Sequence, residues 1–408
     1  MKYNLVASVL LLSMRSAIGA DSGAVDTGNL SALNASPWQF KGNAALGARL
    51  YISPNEPTKE SDRFALRLAP EWRWAESGKT IVISPALYVE GANNGRTRFD
   101  LNELYFSTRM GETIIKTGIS RLFWGVTESR HLVDVVNPPD LAHNYAAEQR
   151  LSTAMLYVTH PTPVGQLETL LLPWERDPKY PGTAGRPRTE LPINNPVEHP
   201  NGTPPAFAAR LAISQGDYDT HIYFFRGLDR ETVLAARTQG LAAPTELTPT
   251  RRLVRQWGAD LQVPTGNFLV KSELTYRSGY SRNFFSGVAG GEYALNGING
   301  SVVDVNLLGE YQFDLRPADA PLTTPSHAVY GGFRVALNDA ASTEFKFGVV
   351  AETASGARIW RGNASRRIAK NWTIEASMDV FDHVRKSPSL MGYKKESHAE
   401  VLAKYHFQ

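Results

Sequence analysis

The sequence predicts an all-β protein, an antiparallel transmembrane β-barrel, from three observations. Segments of about 9–11 residues alternate between apolar and polar side chains, which is typical of strands that face lipid on one side. In the last segment, which ends at Phe407, Val401 and Tyr405 share an apolar face. Glu400 and Lys404 share the opposite, polar face. The links between the segments alternate between short and long, as the turns and loops of such barrels do.

Eighteen strands are predicted, and sixteen is the alternative because the segments 151–162 and 284–295 alternate weakly. Short links follow the even-numbered strands, at 76–79, 110–112, 162–165, 215–217, 264–267, 296–300, 338–342 and 369–371. Longer links follow most odd-numbered strands, at 52–62, 125–150, 174–204, 227–250, 315–325 and 383–396. Three further odd links, at 92–97, 279–283 and 353–357, are short. The even count predicts that both termini are periplasmic, and a barrel of this size encloses an aqueous channel.

The N-terminal residues predict export. Lys2 precedes an apolar run over 5–12, and the small residues Ala17, Gly19 and Ala20 follow it, so residues 1–20 are a predicted secretory signal peptide. Residues 21–37 are then a short periplasmic segment, and residues 38–408 form the barrel. No later segment approaches the roughly 20 apolar residues of a membrane helix. These features place the predicted barrel in the outer membrane of a Gram-negative bacterium.

Composition excludes several other classes. The net charge of +3 falls to about +1 when Lys2 and Arg15 are removed, which argues against a nucleic-acid partner. The chain has no cysteine, so it has no disulfide framework and no thiolate chemistry. No serine nucleophile motif lies near any histidine, and an enzyme is not predicted. The spacing of His131, Asp134 and His143 fits no recognised ligand motif, and neither a metal nor a cofactor is predicted.

The link 125–150 is too long for a turn, and such loops are usually functional. It carries the apolar residues Leu132, Val133, Val135 and Val136, which require a surface to pack on. We therefore expect it to fold inward against the barrel wall and to narrow the pore.

Charged side chains of this loop and of the early strands are the predicted pore-lining or constriction residues. They are Arg49, Arg67, Arg73, Arg109, Glu128, Arg130, His131, Asp134 and Asp140. Rings of charged side chains are how such pores discriminate between solutes. The alternative is that the loop residues form salt bridges that hold the loop. Because the early strands are mostly basic and the late strands mostly acidic, a transverse field across the lumen is a further hypothesis.

The same region carries a resemblance. Residues 118–129 are Gly-Ile-Ser-Arg-Leu-Phe-Trp-Gly-Val-Thr-Glu-Ser, and residues 134–141 are Asp-Val-Val-Asn-Pro-Pro-Asp-Leu. This pattern resembles a large group of proteobacterial porin-like outer-membrane proteins, most of them known only as a domain-of-unknown-function family. The close match covers residues 115–145. The resemblance implies a porin-like barrel and no particular solute.

Contacts with the envelope are predicted at three places. Aromatic residues near strand ends predict interfacial girdles: Trp38, Tyr51, Trp72, Trp74, Phe123, Trp124, Trp174, Trp360, Trp372, Tyr405 and Phe407. The proline-rich link 174–204 predicts an irregular outer loop, in which Lys179, Arg186 and Arg188 are candidate donors to lipopolysaccharide phosphates. The final strand, which ends at Phe407, resembles the signal that barrel-assembly machinery recognises.

These observations predict a porin-like channel for passive or weakly selective diffusion of small solutes, narrowed by loop 125–150. Two alternatives remain open. One is a transporter for hydrophobic or amphipathic compounds, which requires an apolar entry pocket and a lateral opening; Pro85 inside a strand is its indication. The other is a surface or structural barrel without transport. The oligomeric state is open, and a homo-oligomer is among the partners that the sequence allows.

Overall fold

The computed structural model describes residues 36–53, 59, 64–91, 97–142, 149–193, 196–237, 243–322 and 325–408. The predicted signal peptide and most of the segment 21–37 lie outside these residues. Among the described residues, no helix is long and apolar enough to span a bilayer. Three short 3-10 helices occur, at Ile298–Gly300, Val384–Lys386 and Met391–Tyr393.

The described residues form twenty strands, numbered here in chain order. They are β1 (Trp38–Tyr51), β2 (Phe64–Glu76), β3 (Lys79–Glu90), β4 (Arg98–Met110), β5 (Thr113–Ser120), β6 (Thr153–Thr162), β7 (Gly165–Leu172), β8 (Ala206–Gln215), β9 (Tyr218–Leu228), β10 (Val233–Arg237), β11 (Glu246–Thr250), β12 (Leu253–Thr265), β13 (Phe268–Ser278), β14 (Phe284–Leu295), β15 (Asp304–Asp314), β16 (His327–Ala336), β17 (Glu344–Glu352), β18 (Arg358–Ala369), β19 (Trp372–Asp382) and β20 (His398–Phe407).

Eighteen of these strands form one closed antiparallel sheet, a β-barrel. Each strand pairs with the next, β9 pairs with β12, and β20 closes the barrel on β1 from Gly42 opposite Phe407 to Tyr51 opposite His398. Strands β10 and β11 form a separate hairpin within one long link. The prediction of eighteen strands is confirmed, and the two weakly alternating segments are the strands β6 and β14.

The predicted difference between the two ends of the barrel is present. Turns after β2, β4, β6, β8 and the later alternate strands are short, and both Trp38 and Phe407 lie at that end. We call it the short-turn end. The opposite, long-loop end carries the links 121–152, 173–205, 229–252 and 383–397, together with shorter ones. The loops that shape the lumen all enter from the long-loop end.

Burial in the barrel wall is the reverse of that in a water-soluble protein. On β13 the charged residues Lys271, Glu273 and Arg277 are buried, whereas Phe268 and Leu274 are exposed by 41% and 48%. The strands β1 and β15 repeat this pattern, with Arg49 and Glu310 buried, and Leu50 on β1 and Phe64 on β2 are among the most exposed apolar side chains. In water, large apolar side chains are buried and charges are exposed. The outer surface is therefore of the kind that lipid covers.

The aromatic residues divide into two groups. Trp38, Trp72, Trp174 and Trp372 are exposed on the outer surface near strand ends, as predicted for girdles. Trp124, by contrast, is 1% exposed and belongs to a cluster inside the lumen, so the prediction of a girdle position for it is wrong. The reason is that β5 ends at Ser120 and the chain then turns inward.

Pro85 lies at a break in the strand pairing. Ser84 is opposite Glu103, but Pro85 is opposite Leu101, so that Asn102 forms a bulge in β4. The ladder between β2 and β3 is also interrupted on the other side of Pro85. Proline has no N–H to donate to a ladder, which accounts for the break. The irregularity at Pro85 is thus a β-bulge opposite the proline, and it does not by itself test the predicted lateral opening.

Candidate pore constriction

Loop 121–152 folds into the lumen, and Asn137 closes its base. The side-chain amide of Asn137 donates to the carbonyl oxygens of Ser120 and Leu151 at 3.1 and 2.9 Å. Its side-chain oxygen accepts from the backbone N–H of Leu122 at 2.8 Å. One buried side chain therefore joins the start and the end of the loop, which gives the asparagine of the Asp-Val-Val-Asn run a structural role.

The Trp-Gly pair anchors the first part of the loop. The Trp124 ring lies 5.2 Å from the ring of Tyr223 on β9, and the Arg210 guanidinium lies 5.6 Å from the Trp124 ring centre. Gly125 has a φ of 145°, and a Cβ there would meet an Oε1 atom of Glu273 at 3.0 Å. Glycine is required because the backbone approaches the opposite wall so closely.

Two carboxylates of the opposite wall hold the middle of the loop. Glu273 accepts from the backbone N–H groups of Val126, Thr127, Leu132 and Val133 at 2.6–3.2 Å. Glu310 on β15 accepts from the backbone N–H groups of Glu128 and Ser129 at 2.7 and 2.8 Å. Hydrogen bonds to a charged acceptor contribute about 1.5–3 kcal/mol each. These bonds run from one side of the barrel to the other and fix the loop across the lumen.

The apolar residues of the loop pack where the sequence predicts, against the inside of the wall. Val133, Val135 and Val136 join Trp124 in a cluster whose other members come from β6, β7, β8, β9 and β12. Those members are Met155, Leu170, Leu172, Ala206, Ala208, Tyr223, Phe225 and Val254. This part of the lumen is filled by a packed core. Any passage through the barrel must run along the other side.

A cavity of 630 Å³ lies on that other side, along the inner wall of β1, β2 and β16–β20. Its charged lining consists of six basic residues, Arg49, Arg67, Arg334, Lys346, Arg361 and Lys404, and four acidic ones, Glu344, Glu375, Asp379 and Glu400. His398 and the loop residue Gln149 also line it. The cavity therefore has a basic excess of two residues in its lining.

Glu128 is the predicted loop residue that faces this side. Its carboxylate accepts from Arg334 at 3.1 Å and from Lys346, on β16 and β17. Burial alone would raise the pKa of Glu128, but the charges of Lys346 and Arg334 lower it to about 2. The carboxylate is therefore ionised at any ordinary pH, and its charge is matched by two cations of the cavity wall.

The other predicted loop residues hold the loop and do not line the cavity. Arg130 pairs with Asp314 at 2.9 Å and lies 3.6 Å from Glu231. Asp134 pairs with Arg150 at 2.8 Å, and Asp140 pairs with Arg98 on β4. The ring of His131 packs edge-on against Phe123 at 4.8 Å. His143 lies outside the described residues.

The predicted wall residues fall into two groups. Arg49 and Arg67 line the cavity, and both donate to Glu400 on β20, at 2.7 and 2.8 Å. Arg73 and Arg109 lie close to the short-turn end, outside the lining of the cavity. Because β20 closes on β1, basic early strands are next to acidic late strands. At this seam Arg49 and Arg67 are paired with Glu400, so these three charges largely neutralise each other and add little to the hypothesised transverse field.

The long-loop end carries a cover made of the links 173–205, 229–252 and 383–397. Arg186 and Glu396 are fully buried in it and pair at 3.0 Å, and Lys59 reaches the same carboxylate at 2.7 Å. The Arg186 guanidinium stacks 4.0 Å from the ring centre of Tyr51. Arg188 is also buried, so the two side chains lie inside the cover, contrary to their predicted contact with lipopolysaccharide phosphates. Lys179 is exposed.

A second network connects the cover to the constriction. Glu231, in the link 229–252, lies 2.8 Å from Arg316 and 3.3 Å from Arg277, and Arg130 of the inward loop is also near it. Burial alone would raise the pKa of Glu231, but these three guanidinium groups hold it well below its usual range. The cover and the inward loop are therefore held by shared ion pairs.

The sequence patterns did not reveal Glu273, Glu310 or Asn137. Glu273 and Glu310 occur on the polar faces of their strands, like many other charges, and no local signal shows that they face a loop more than 140 residues away. Asn137 is part of the Asp-Val-Val-Asn-Pro run, and its position between two prolines and two valines was the available signal.

The fold and the lumen together define a closed barrel of eighteen strands, apolar outside and charged inside, with a loop folded into it. No family model matches the chain, and no curated protein matches it.

Solved structures do resemble the chain. One is Wzi of Escherichia coli, an outer-membrane protein involved in group 1 capsule assembly and described as a carbohydrate-binding β-barrel. It has a TM-score of 0.53 and 10% identity over 90% of this chain and 84% of that one. Another is the E1M, A116K mutant of a Rhodopseudomonas blastica porin, with a TM-score of 0.43 and 11% identity over 91% of this chain and 100% of that one. At 10% identity the likeness to Wzi concerns the fold alone.

Proposed function

We propose that this protein is an outer-membrane channel for the diffusion of small polar solutes, with a weak preference for anions. The observation that carries the proposal is the cavity of 630 Å³ beside the inward-folded loop. Its basic excess favours anions, since charged linings are how pores discriminate. Glu128 on the loop pairs with Arg334 and Lys346 and lowers the basic excess from two charges to one, so the expected preference is weak.

The location follows from the reversed burial of the wall. An exposed apolar surface around the whole barrel is stable in lipid and not in water. Closure of the sheet gives the backbone groups of the wall partners inside the protein, which lipid requires. With short turns at one end and long loops at the other, the short-turn end is the periplasmic side. The cover then lies on the outer side of the membrane.

The residues that resemble the porin-like group support the proposal. Trp124, Gly125 and Asn137 hold the loop in the lumen through the contacts described above. A loop fixed across a barrel restricts the size of the solutes that pass. The cover restricts them further, because its buried pair Arg186–Glu396 lies next to His398 at the outer end of the cavity.

Single-channel recording in a planar bilayer tests the proposal. We expect stable conductance steps from the purified, folded protein and, in a salt gradient, a reversal potential with the sign of anion selectivity. Absence of conductance from protein whose folding is verified by heat-dependent gel mobility would overturn the proposed channel. It would favour a surface or structural barrel. Conductance with cation selectivity would overturn the anion preference alone.

A further inference from the structure

The barrel wall has a notch next to β5. On its β3 side, β4 is paired as far as Arg98, but on its β5 side the pairing runs only from Leu104 to Met110. Within the residues that the structure describes, no strand covers the β5 side of residues 98–103. The cause is that β5 ends at Ser120, where the chain turns into the lumen. An open strand edge in lipid is unfavourable because its backbone groups need partners.

A pocket of 480 Å³ occupies the notch. Five of its lining residues are apolar, Phe99, Leu101, Ile119, Ala154 and Trp174, and five are polar, Asp100, Ser152, Thr153, Glu175 and Arg176. Phe99 and Trp174 are each 68% exposed and form its outer lip. The volume lies within the roughly 300–1,000 Å³ of small-molecule sites. The pocket is separate from the cavity of the lumen and shares no lining residue with it.

The polar floor of the pocket is an ion pair with its charges matched. Arg176 donates to both carboxylate oxygens of Asp100, at 2.8 and 2.6 Å, and to the carbonyl oxygen of Ser152 at 2.8 Å. The Ser152 hydroxyl donates to the carbonyl oxygen of Asn102, in the bulge of β4. Glu175, the remaining charge, is paired with Arg230. The floor therefore presents hydrogen-bonding groups without a net charge to neutralise.

We propose that this pocket binds an amphiphile from the surrounding lipid, with one alkyl chain and a neutral, hydroxyl-bearing head. The alkyl chain lies against Phe99 and Trp174, and the hydroxyl groups bond to Asp100 and Arg176. An alkyl chain gains little by moving from lipid to an apolar wall, so the head must supply the selectivity. Arg176, the basic residue of the lining, is already paired with Asp100, so an anionic head would gain no additional cation there and is disfavoured. This inference rests on the proposed membrane location but not on conduction.

Photolabelling in phosphatidylcholine proteoliposomes tests the inference, with dodecyl maltoside carrying a diazirine in its alkyl chain as the probe. We expect labelling at Phe99, Ile119 or Trp174 that saturates at one probe per barrel and falls at least tenfold with excess unlabelled dodecyl maltoside. Labelling at Leu274, on the lipid-facing side of β13, is the internal reference and should not be competed. Labelling of the pocket that is not competed would overturn the inference, because it would be general contact with lipid.

Two substitutions and a second competitor sharpen the test. Ala154→Trp fills the pocket and should abolish the competed labelling, whereas Ala289→Trp, the same change on the exposed face of β14, should leave it intact. Equal labelling in both variants would overturn the site. Dodecyl sulfate should compete at least tenfold more weakly than dodecyl maltoside, and equal competition would overturn the neutral head. Unchanged conductance of Ala154→Trp separates this test from that of the channel.

Discussion

At the scale of single residues, the inward loop depends on two buried carboxylates of the wall, Glu273 and Glu310, whose partners are mostly backbone N–H groups. Glu273 is 1% exposed and bonds to four backbone N–H groups and to the hydroxyl of Thr127. The Glu273 carboxylate thus accepts hydrogen bonds from loop N–H groups that no neighbouring strand pairs with. Because their partners are supplied in this way, an irregular loop can be buried. The polar faces of the strands could be predicted from period-2 alternation. The partners of Glu273 could not, since they lie across the lumen and far along the chain.

Glu273→Gln should release the loop. The amide has one acceptor oxygen instead of two, and its NH₂ group would face backbone N–H donors, so the docked loop should lose about 2–4 kcal/mol of stability. We expect noisier and larger single-channel currents and faster proteolysis within 121–142. Glu375→Gln is the matched control. It makes the same chemical change at a cavity residue that pairs with Lys404 and not with the loop. Equal effects of the two substitutions would contradict the role of Glu273.

The paired carboxylate of Glu128 predicts how the loop responds to acid. Its pKa is lowered from an ordinary 4.5 to about 2, so its ion pairs stabilise the docked loop fully above pH 4.5. This contribution is lost as the pH falls from 4.5 through about 2. We expect steady channel currents between pH 8 and 5 and increasing noise below pH 4.5. Glu128→Gln should show noise at neutral pH and a smaller acid response; an acid response like that of the native protein would contradict this assignment.

At the scale of elements, the strands were predictable and the inward loop only in part. Alternation and link lengths identify all eighteen wall strands, because a wall with lipid on one face imposes a period of two. The apolar run at 132–136 indicated that the loop packs inward, and it does. The prediction of a girdle position for Trp124, based on its place near a strand end, is wrong because it packs in the lumen. The sequence does not show where a strand leaves the wall, since the last alternating residue and the first loop residue look alike.

Trp124→Ala should destabilise the inward loop more than any exposed tryptophan would. Removing a fully buried aromatic side chain from a packed cluster costs about 3–5 kcal/mol. We expect a lower temperature of thermal unfolding and a larger conductance. Trp257→Ala is the control, because Trp257 is 55% exposed on the outer wall. A control that loses as much thermal stability as Trp124→Ala would show that the lumen cluster is not what the loop depends on.

At the scale of the whole molecule, closure of the barrel decides which charges meet. The basic and acidic strands are far apart in the sequence, and the sequence alone suggests opposite sides of a pore. In the closed sheet β20 lies beside β1, so that Arg49 pairs with Glu400. Only the closed order of strands reveals this, and local patterns do not contain it. If the cavity is the proposed channel, the charge that remains to act on solutes is the small basic excess of its lining.

The double variant Arg49→Gln with Arg67→Gln should reduce the anion preference. It brings the basic residues of the cavity lining from six to four, equal to the acidic ones, so the reversal potential should move toward zero. Arg73→Gln with Arg109→Gln removes the same charge outside the cavity lining and should change the reversal potential little. A larger effect of the second pair would contradict the cavity as the route of the ions. Heat-dependent gel mobility verifies that both variants fold.

The seam between β1 and β20 also bears on how this protein folds. Arg49 and Glu400 are 351 residues apart along the chain, yet they are direct neighbours across the seam. Contacts of such sequence separation form late, because the entropy of closing a long loop opposes them until the intervening strands are ordered. Before that moment the nascent sheet has two edges, each able to pair with another chain. Aggregation through these edges competes with the final pairing of β20 with β1. Phe407 packs against Gly42, so a substitution at Gly42 would change the balance between pairing and aggregation.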